Sequence, residues 1–409
     1  MPSAAAIANA IYDACGVRFR EPPFTPEKIR AGLGVVPQLE PAKPVCAIAT
    51  KRTKPWRTIL SGASVTLLGL AAAIFPWRFA IAPTVRSESK AYSAATIEQG
   101  RQLAALGDCA VCHTADGGIP NAGGRPLDTP FGVIYSTNIT PDPATGLGSW
   151  SYAAFQRAMR KGIHRDGRHL YPAFPYTHFT RTSEPDLQAL YAFIMTRDPV
   201  YQRSPDTRLK FPLNLRTMVA WWNVLYLKTG ELVPVPTKSE AWNRGRYLVE
   251  GLGHCSACHN PRNSVGAEMG GQREHLSGGW VDGWEAPALT QLSHAPLPWN
   301  EQDFYDYLRT GYSVLHGPAT GPMAPVVEEL RALPDGAIHA MATYLASFTD
   351  HNPPNDRRAA AVVEARAVSA MSASVGVPGA ALYQGACAVC HQGGEQPDIF
   401  GITPSLALN

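Results

Sequence analysis

The feature that most constrains this chain is a five-residue pattern that occurs three times, as CAVCH at Cys109–His113, CSACH at Cys255–His259 and CAVCH again at Cys387–His391. The copies are far enough apart for each to sit in its own domain. They take six of the eight cysteines and leave Cys15 and Cys46 single. Two cysteines this close in sequence rarely clip a fold together, so the pattern points to metal, haem or redox chemistry. Two thiols on one helical turn can add to the two vinyl groups of a haem, and the following histidine then lies beneath the iron; no other common use of the pair needs that adjacent histidine. A zinc site would have to gather a second cysteine pair. A thioredoxin-like pair would sit in a βαβ pattern, which surrounds none of the three. The expected cofactor is therefore covalent haem c, held by Cys109, Cys112 and His113, by Cys255, Cys258 and His259, and by Cys387, Cys390 and His391.

The surroundings of the pairs repeat as well. EQGRQLAALGD precedes the first, NRGRYLVEGLGH the second and the looser PGAALYQGA the third. Each carries a glycine at helical spacing from apolar residues, as a helix does when another backbone must approach it closely. Asp186–Ile194 and Ala337–Phe348 are amphipathic and close units one and two, so a first and a last helix packed at Gly100 or Gly245 would bracket each module. The Pro-rich stretch at 199–216 and the Pro/Asn/Ala-rich stretch at 352–378 read as linkers. A net charge of +3, without a basic run interleaved with aromatics, argues against nucleic acid as a partner.

What fills the sixth position of each iron decides between electron transfer and ligand chemistry. In unit two Met323 lies in a Gly/Pro-rich loop before a helix and suits the role; Met341 reads as core, and Met269 is a weaker rival. In unit one Met159 and Met195 lie in helical patterns, whereas His178 is in a Pro-rich loop and could serve. His164 and His169 read as solvated. No methionine or histidine follows His391.

Thr58–Trp77 carries no charge over about the 20 residues that a bilayer crossing needs. Lys51, Arg52, Lys54 and Arg57 precede it, and Trp56 and Trp77 flank it. This predicts a transmembrane anchor over 56–78, favoured over a cleaved signal peptide, with a cytoplasmic N-terminus and periplasmic haem domains on a bacterial inner membrane.

From about residue 92 onward the chain resembles the multi-haem cytochrome c subunits of membrane-bound bacterial dehydrogenases for alcohols, aldehydes and gluconate. The residues that carry the likeness are Thr129–Phe155, Gly167–Tyr176, Gly278–Thr290 and Gly321–Glu329. The resemblance implies a mainly α fold of tandem class I cytochrome c domains after one transmembrane helix, over 92–200, 237–350 and, incomplete, 379–409. It implies His/Met ligation with Met323 in the second domain, and it puts Phe174 where the first domain's ligand is expected, leaving His178 or Met195 as candidates. It also implies that the sequon at Asn138 belongs to a loop near the haem rather than to a glycan, and that Trp150 and Tyr171 pack against porphyrin. Pro2–Leu33 is similar to the C-terminus of molybdopterin-binding hydroxylase subunits, and such a tail is expected over 1–45. The third domain's ending suggests a truncated copy, and the whole a fragment of a hydroxylase–cytochrome fusion. The partners implied are a dehydrogenase or molybdenum hydroxylase catalytic subunit, an iron–sulfur subunit, and a quinone or terminal oxidase as acceptor. The competing expectation is a di-haem peroxidase-like enzyme with an open haem site, kept alive by Phe174.

Overall fold

Two crossings of helices organise the part of the molecule that holds the first two motifs. In the first, α1 (Ala94–Leu106) crosses α5 (Glu184–Thr196), and in the second α7 (Glu240–Glu250) crosses α11 (Asp335–Ala346). Each crossing closes on a glycine. A Cβ on Gly100 would sit 2.0 Å from the Ala189 carbonyl oxygen, and one on Gly245 would sit 1.9 Å from that of Ala340. Both helices could reach this separation only with hydrogen at that position. Serine side chains start three of the four helices: Ser93 accepts from Thr96 N, Ser183 from Asp186 N and Ser239 from Trp242 N, each satisfying an otherwise orphaned amide.

This computed structural model describes Val17, Lys28 and residues 78–85, 92–271, 273–290, 297–349, 359–364 and 367. The chain divides into two compact units, 1–70 and 71–409. Apart from Val17 and Lys28, the tail expected over 1–45 lies outside the described residues, as do all of the expected span at 56–78 but Arg78 and the expected third domain with Cys387, Cys390 and His391. The expectation of haem domains following one transmembrane helix is corrected in that last part. No helix among the described residues is long and apolar enough to cross a membrane, and the architecture that stands is the mainly α one.

Between the crossed helices the two halves follow one plan. In the first, the motif turn α2 (Cys109–His113) leads to an antiparallel sheet of β1 (Pro126–Thr129), β2 (Gly132–Tyr135) and the later β3 (Arg208–Leu209), in the order β1-β2-β3. Then come α3 (Tyr152–Lys161) and the short α4 (Tyr176–Phe179). In the second, α8 (Ser256–His259) is followed by the hairpin β4 (Gly279–Val281) and β5 (Trp284–Ala286). After it come α9 (Glu301–Thr310), the hairpin β6 (Tyr312–Ser313) and β7 (Gly317–Pro318), and α10 (Met323–Leu330). Leu187, Leu190 and Met195 of the first half and Leu248, Ile338 and Met341 of the second belong to one continuous buried cluster.

The stretch expected to be a linker carries structure. It supplies β3 and runs into α6 (Arg216–Tyr226), which the sequence did not signal. Arg216 donates to the His169 carbonyl, and the Tyr176 hydroxyl donates to Asn223, tying α6 to the first half. Trp222 donates to the Val265 carbonyl and Asn263 donates to the Tyr226 hydroxyl, tying it to the second.

The glycine crossings give an expectation of opposite signs. Gly245→Ala should lower stability by about 1–3 kcal/mol through overpacking. Gly336→Ala, in α11 with nothing within 4 Å of the added methyl, should raise it by up to about 1 kcal/mol. Denaturant unfolding followed by far-UV circular dichroism checks both.

Candidate functional site

Each motif leaves its crossing helix through a residue in the left-handed conformation, Asp108 at φ 49° and His254 at φ 36°. That kink turns the following helical turn away from the crossing helix. The histidines are then held from behind. His113 Nδ1 lies 2.6 Å from the Thr137 carbonyl oxygen and His259 Nδ1 lies 2.7 Å from that of Pro287. A carbonyl only accepts, so Nδ1 carries the proton and Nε2 keeps its lone pair for a metal. Burial pulls the pKa of both rings below the usual histidine value, which keeps them neutral, the form that ligates. Burial also pushes the Cys109 and Cys255 thiols up to about 12 and Cys258 to about 11, and raises Cys112. No disulfide joins any of the four, so both sulfurs of each motif are left for other chemistry. Among the described residues no three His, Cys, Asp or Glu side chains are gathered as a metal cage, so the geometry offers zinc no ligand set.

The accepting carbonyls are themselves fixed. A Cβ on Gly123, at φ 77°, would sit 2.4 Å from the Thr137 carbonyl carbon, and its amide donates to the His113 carbonyl at 2.7 Å, so this glycine lets the 137 loop lie against the motif. Asn138, 3% exposed, donates to the Val200 carbonyl and accepts from the Thr140 amide and hydroxyl. The sequon asparagine is therefore a buried brace for the loop that carries the Thr137 carbonyl to His113. In the second half the Gly278 amide donates to the His259 carbonyl at 2.8 Å, and a Cβ on Gly279 would sit 2.3 Å from the Cys258 carbonyl oxygen.

The two motifs share one interface. A Cβ on Gly107 would be 3.6 Å from Cys109 Sγ and 3.7 Å from Leu252 Cδ2, and one on Gly253 would be 3.3 Å from Leu106 Cδ1. Asp108 lies within electrostatic reach of Cys255 and Cys258; burial, with Glu329 adding to it, pushes its carboxyl up to about 7. The most polar tie across this interface runs through His178. Its Nε2 is 2.7 Å from Glu268 Oε1 and its Nδ1 is 3.2 Å from the Glu250 carbonyl oxygen. Ser256, in the second motif, donates to the other Glu268 oxygen at 3.1 Å. Burial alone would raise Glu268, but His178, Arg262 and Ser256 outweigh it and hold the carboxyl at about 2.

Both ring nitrogens of His178 are engaged with the second domain, which leaves neither for an iron. Met195 is packed at 1% exposure in the core, as is Met341. Met269 is 37% exposed beyond the second motif. Met323 stands at the first position of α10, half-buried against the core. His164 and His169 are not solvated as expected: His164 meets Trp150 edge-on at 4.7 Å and Asp166 at 2.9 Å, and His169 is 7% exposed. Tyr171 stacks under the Arg216 guanidinium at 4.4 Å and Trp150 is buried with Ala154 and Ala158.

With that geometry, the comparisons with known proteins have a definite meaning. The Cytochrome c family profile matches residues 97–198. The chain is 39% identical over 333 residues to the fructose dehydrogenase cytochrome subunit of Gluconobacter japonicus, covering 77% of this chain and 67% of that protein. It is 39% identical over 308 residues to the gluconate 2-dehydrogenase cytochrome c subunit of Pantoea cypripedii, covering 73% and 69%. The chain belongs to the cytochrome c subunits of dehydrogenases. It is also 52% identical over its whole length to a subunit of the nicotinate dehydrogenase of Pseudomonas putida, and it spans 34% of that protein. Membership of the cytochrome c family implies covalent haem c, and the pinned histidines and the cysteines outside any disulfide fit that group. Sequence reasoning missed the carbonyls of Thr137 and Pro287 and the bridging role of Glu268. In this cytochrome a glycine between each motif and its accepting carbonyl, Gly123 and Gly278, was the signal available.

His178→Ala should remove about 1.5–3 kcal/mol of stability by taking one charged-group hydrogen bond from Glu268, which keeps Ser256 and Arg262, while the absorption spectrum of the haem-loaded cytochrome stays unchanged. A changed spectrum in that variant would return His178 to the iron.

Proposed function

We propose that this chain is an electron-transfer cytochrome serving a dehydrogenase catalytic subunit. Haem c is held covalently by Cys109 and Cys112 with His113, and by Cys255 and Cys258 with His259. Cys387, Cys390 and His391, outside the described residues, are positioned in sequence to hold another. Met323 supplies the sixth ligand of the second site and keeps it closed to substrates, raising its potential. When bound, the haem supplies one-electron chemistry. The protein orients each imidazole through its Nδ1, encloses each site and sets the two motifs side by side. That side-by-side placement of two identically braced motifs is the observation that carries the reading, because a relay needs neighbouring carriers.

The likeness to a nicotinate dehydrogenase subunit supports a dehydrogenase as the electron donor, and the resemblance of Pro2–Leu33 to molybdopterin-binding subunits makes that donor a molybdenum hydroxylase in this proposal, with an iron–sulfur subunit between them. The likeness to cytochrome subunits of sugar-oxidising dehydrogenases supports a respiratory acceptor such as a quinone or terminal oxidase. Haem domains on the periplasmic side, where c-type haem would be attached, complete the proposal.

Intact mass of the denatured chain, matured in a haem-competent host, tests the reading. Replacing Cys109 and Cys112 together by serine should lighten it by one haem, and replacing Cys255 and Cys258 by a further one. A wild-type chain that weighs no more than its bare polypeptide ends the proposal. In the loaded chain, Met323→Ala should lower the reduction potential of one haem.

A further inference from the structure

The two halves can be aligned residue by residue from backbone geometry alone, and the alignment reaches the sixth ligand. Helix α3 ends on Gly162 and α9 on Gly311, both left-handed, at φ 61° and φ 81°. The Leu170 amide donates to the Gly162 carbonyl at 2.8 Å, and the Ala319 amide donates to that of Gly311 at 2.7 Å. Ile163 pairs with His169 as Tyr312 pairs with Pro318. Further along the same loop, the Phe174 amide donates to the Tyr171 carbonyl at 3.1 Å and the Met323 amide donates to that of Thr320 at 3.2 Å. Every step keeps the same interval, so Phe174 occupies in the first half the position that Met323 occupies in the second. Both side chains are half-buried and pack against the core.

Phenylalanine has no lone pair to give. Its ring is fixed edge-on to Phe179 at 5.4 Å and tilted to Tyr176 at 6.2 Å, so it stays where a thioether would otherwise reach. The candidate donors on the elements of the first half that flank the motif are engaged elsewhere, and Met218 of α6 is 42% exposed to solvent. His178 spends both nitrogens on Glu250 and Glu268, His164 is bonded to Asp166, and Met159 and Met195 are core residues of α3 and α5. The competitor on the loop itself is His169, whose Nε2 is buried without a hydrogen-bond partner; its equivalent in the second half is Pro318, which has nothing to donate.

We propose that the first haem site of this chain has an open sixth position, capped by Phe174, and is a binding site for small uncharged diatomic ligands such as carbon monoxide, beside a second site closed by Met323. The apolar cap favours neutral ligands over anions, because a charge brought under Phe174 would lose its hydration without a partner. This inference rests on the haem reading given under the proposed function, and the two fail differently. A chain without haem would sink that reading, whereas a chain with haem whose first site is saturated would sink only this one.

The test is carbon monoxide titration of the full, haem-loaded, chemically reduced chain, with covalent haem counted first by intact mass. The expected result is uptake by the wild type, one equivalent less in Phe174→Met, and one equivalent more in Met323→Ala. Phe174→Leu, which restores no donor, should bind as the wild type does. Electron paramagnetic resonance of the oxidised chain with Cys387 and Cys390 replaced by serine, so that no third haem contributes, should show a high-spin ferric signal. Loss of that signal together with no carbon monoxide uptake overturns the proposal. So does equal uptake by the wild type and a folded Phe174→Met. If uptake is absent in the wild type but appears in His169→Ala, the first site is closed by His169 and the proposal is overturned in its favour.

Discussion

The structure depends first on two hydrogen bonds that run behind the histidines of the motifs. An imidazole presents a lone pair to a metal only when its other nitrogen is protonated and held. The Thr137 and Pro287 carbonyls do this at 2.6 and 2.7 Å. Those carbonyls can reach because Gly123 and Gly278 let their loops lie flat on the motif, and in the first half because Asn138 braces the loop from below. Behind this lies the close crossing of helices at Gly100 and Gly245, which sets the height at which each motif leaves its helix. The same chain of dependence is written twice, so the halves are copies in chemistry as well as in shape.

The interface between the halves is unlike the rest of the buried cluster because it is polar at its edge. Glu268 gathers His178, Ser256 and Arg262, Glu250 gathers Arg181 and Tyr344, and Asp186 takes the Tyr247 hydroxyl. A fully satisfied network of this kind fixes one mutual orientation where an apolar face would accept several. A relay profits from such fixity, since the separation of its carriers then does not fluctuate.

The motifs and the glycine crossings were legible in the sequence because each needs particular residue types at particular local spacings: two sulfurs and an imidazole, or a missing side chain on a helix. The brackets Asp186–Ile194 and Ala337–Phe348 announced themselves by periodicity and lie within α5 and around α11. The carbonyl braces did not, because any residue supplies a carbonyl. The contact of His178 with Glu268 was not legible, because a proline-rich loop says nothing of a carboxylate that lies 90 residues further on. Helix α6 was hidden inside a proline-rich connection, and its Val224 and Leu225, at 74% and 71% exposure, give it no clean buried face. The expected crossing of the membrane rested on hydropathy, flanking positive charge and end tryptophans, and no described helix supplies it.

Helix α6 therefore acts as more than a connection. It grips the first half through Arg216 and Asn223 and the second through Trp222 and Tyr226, so it works as a splint laid across a joint. A single proteolytic nick within it would leave both motif histidines on their carbonyl braces. The two halves would then be held together by their shared buried cluster and the polar network at its edge.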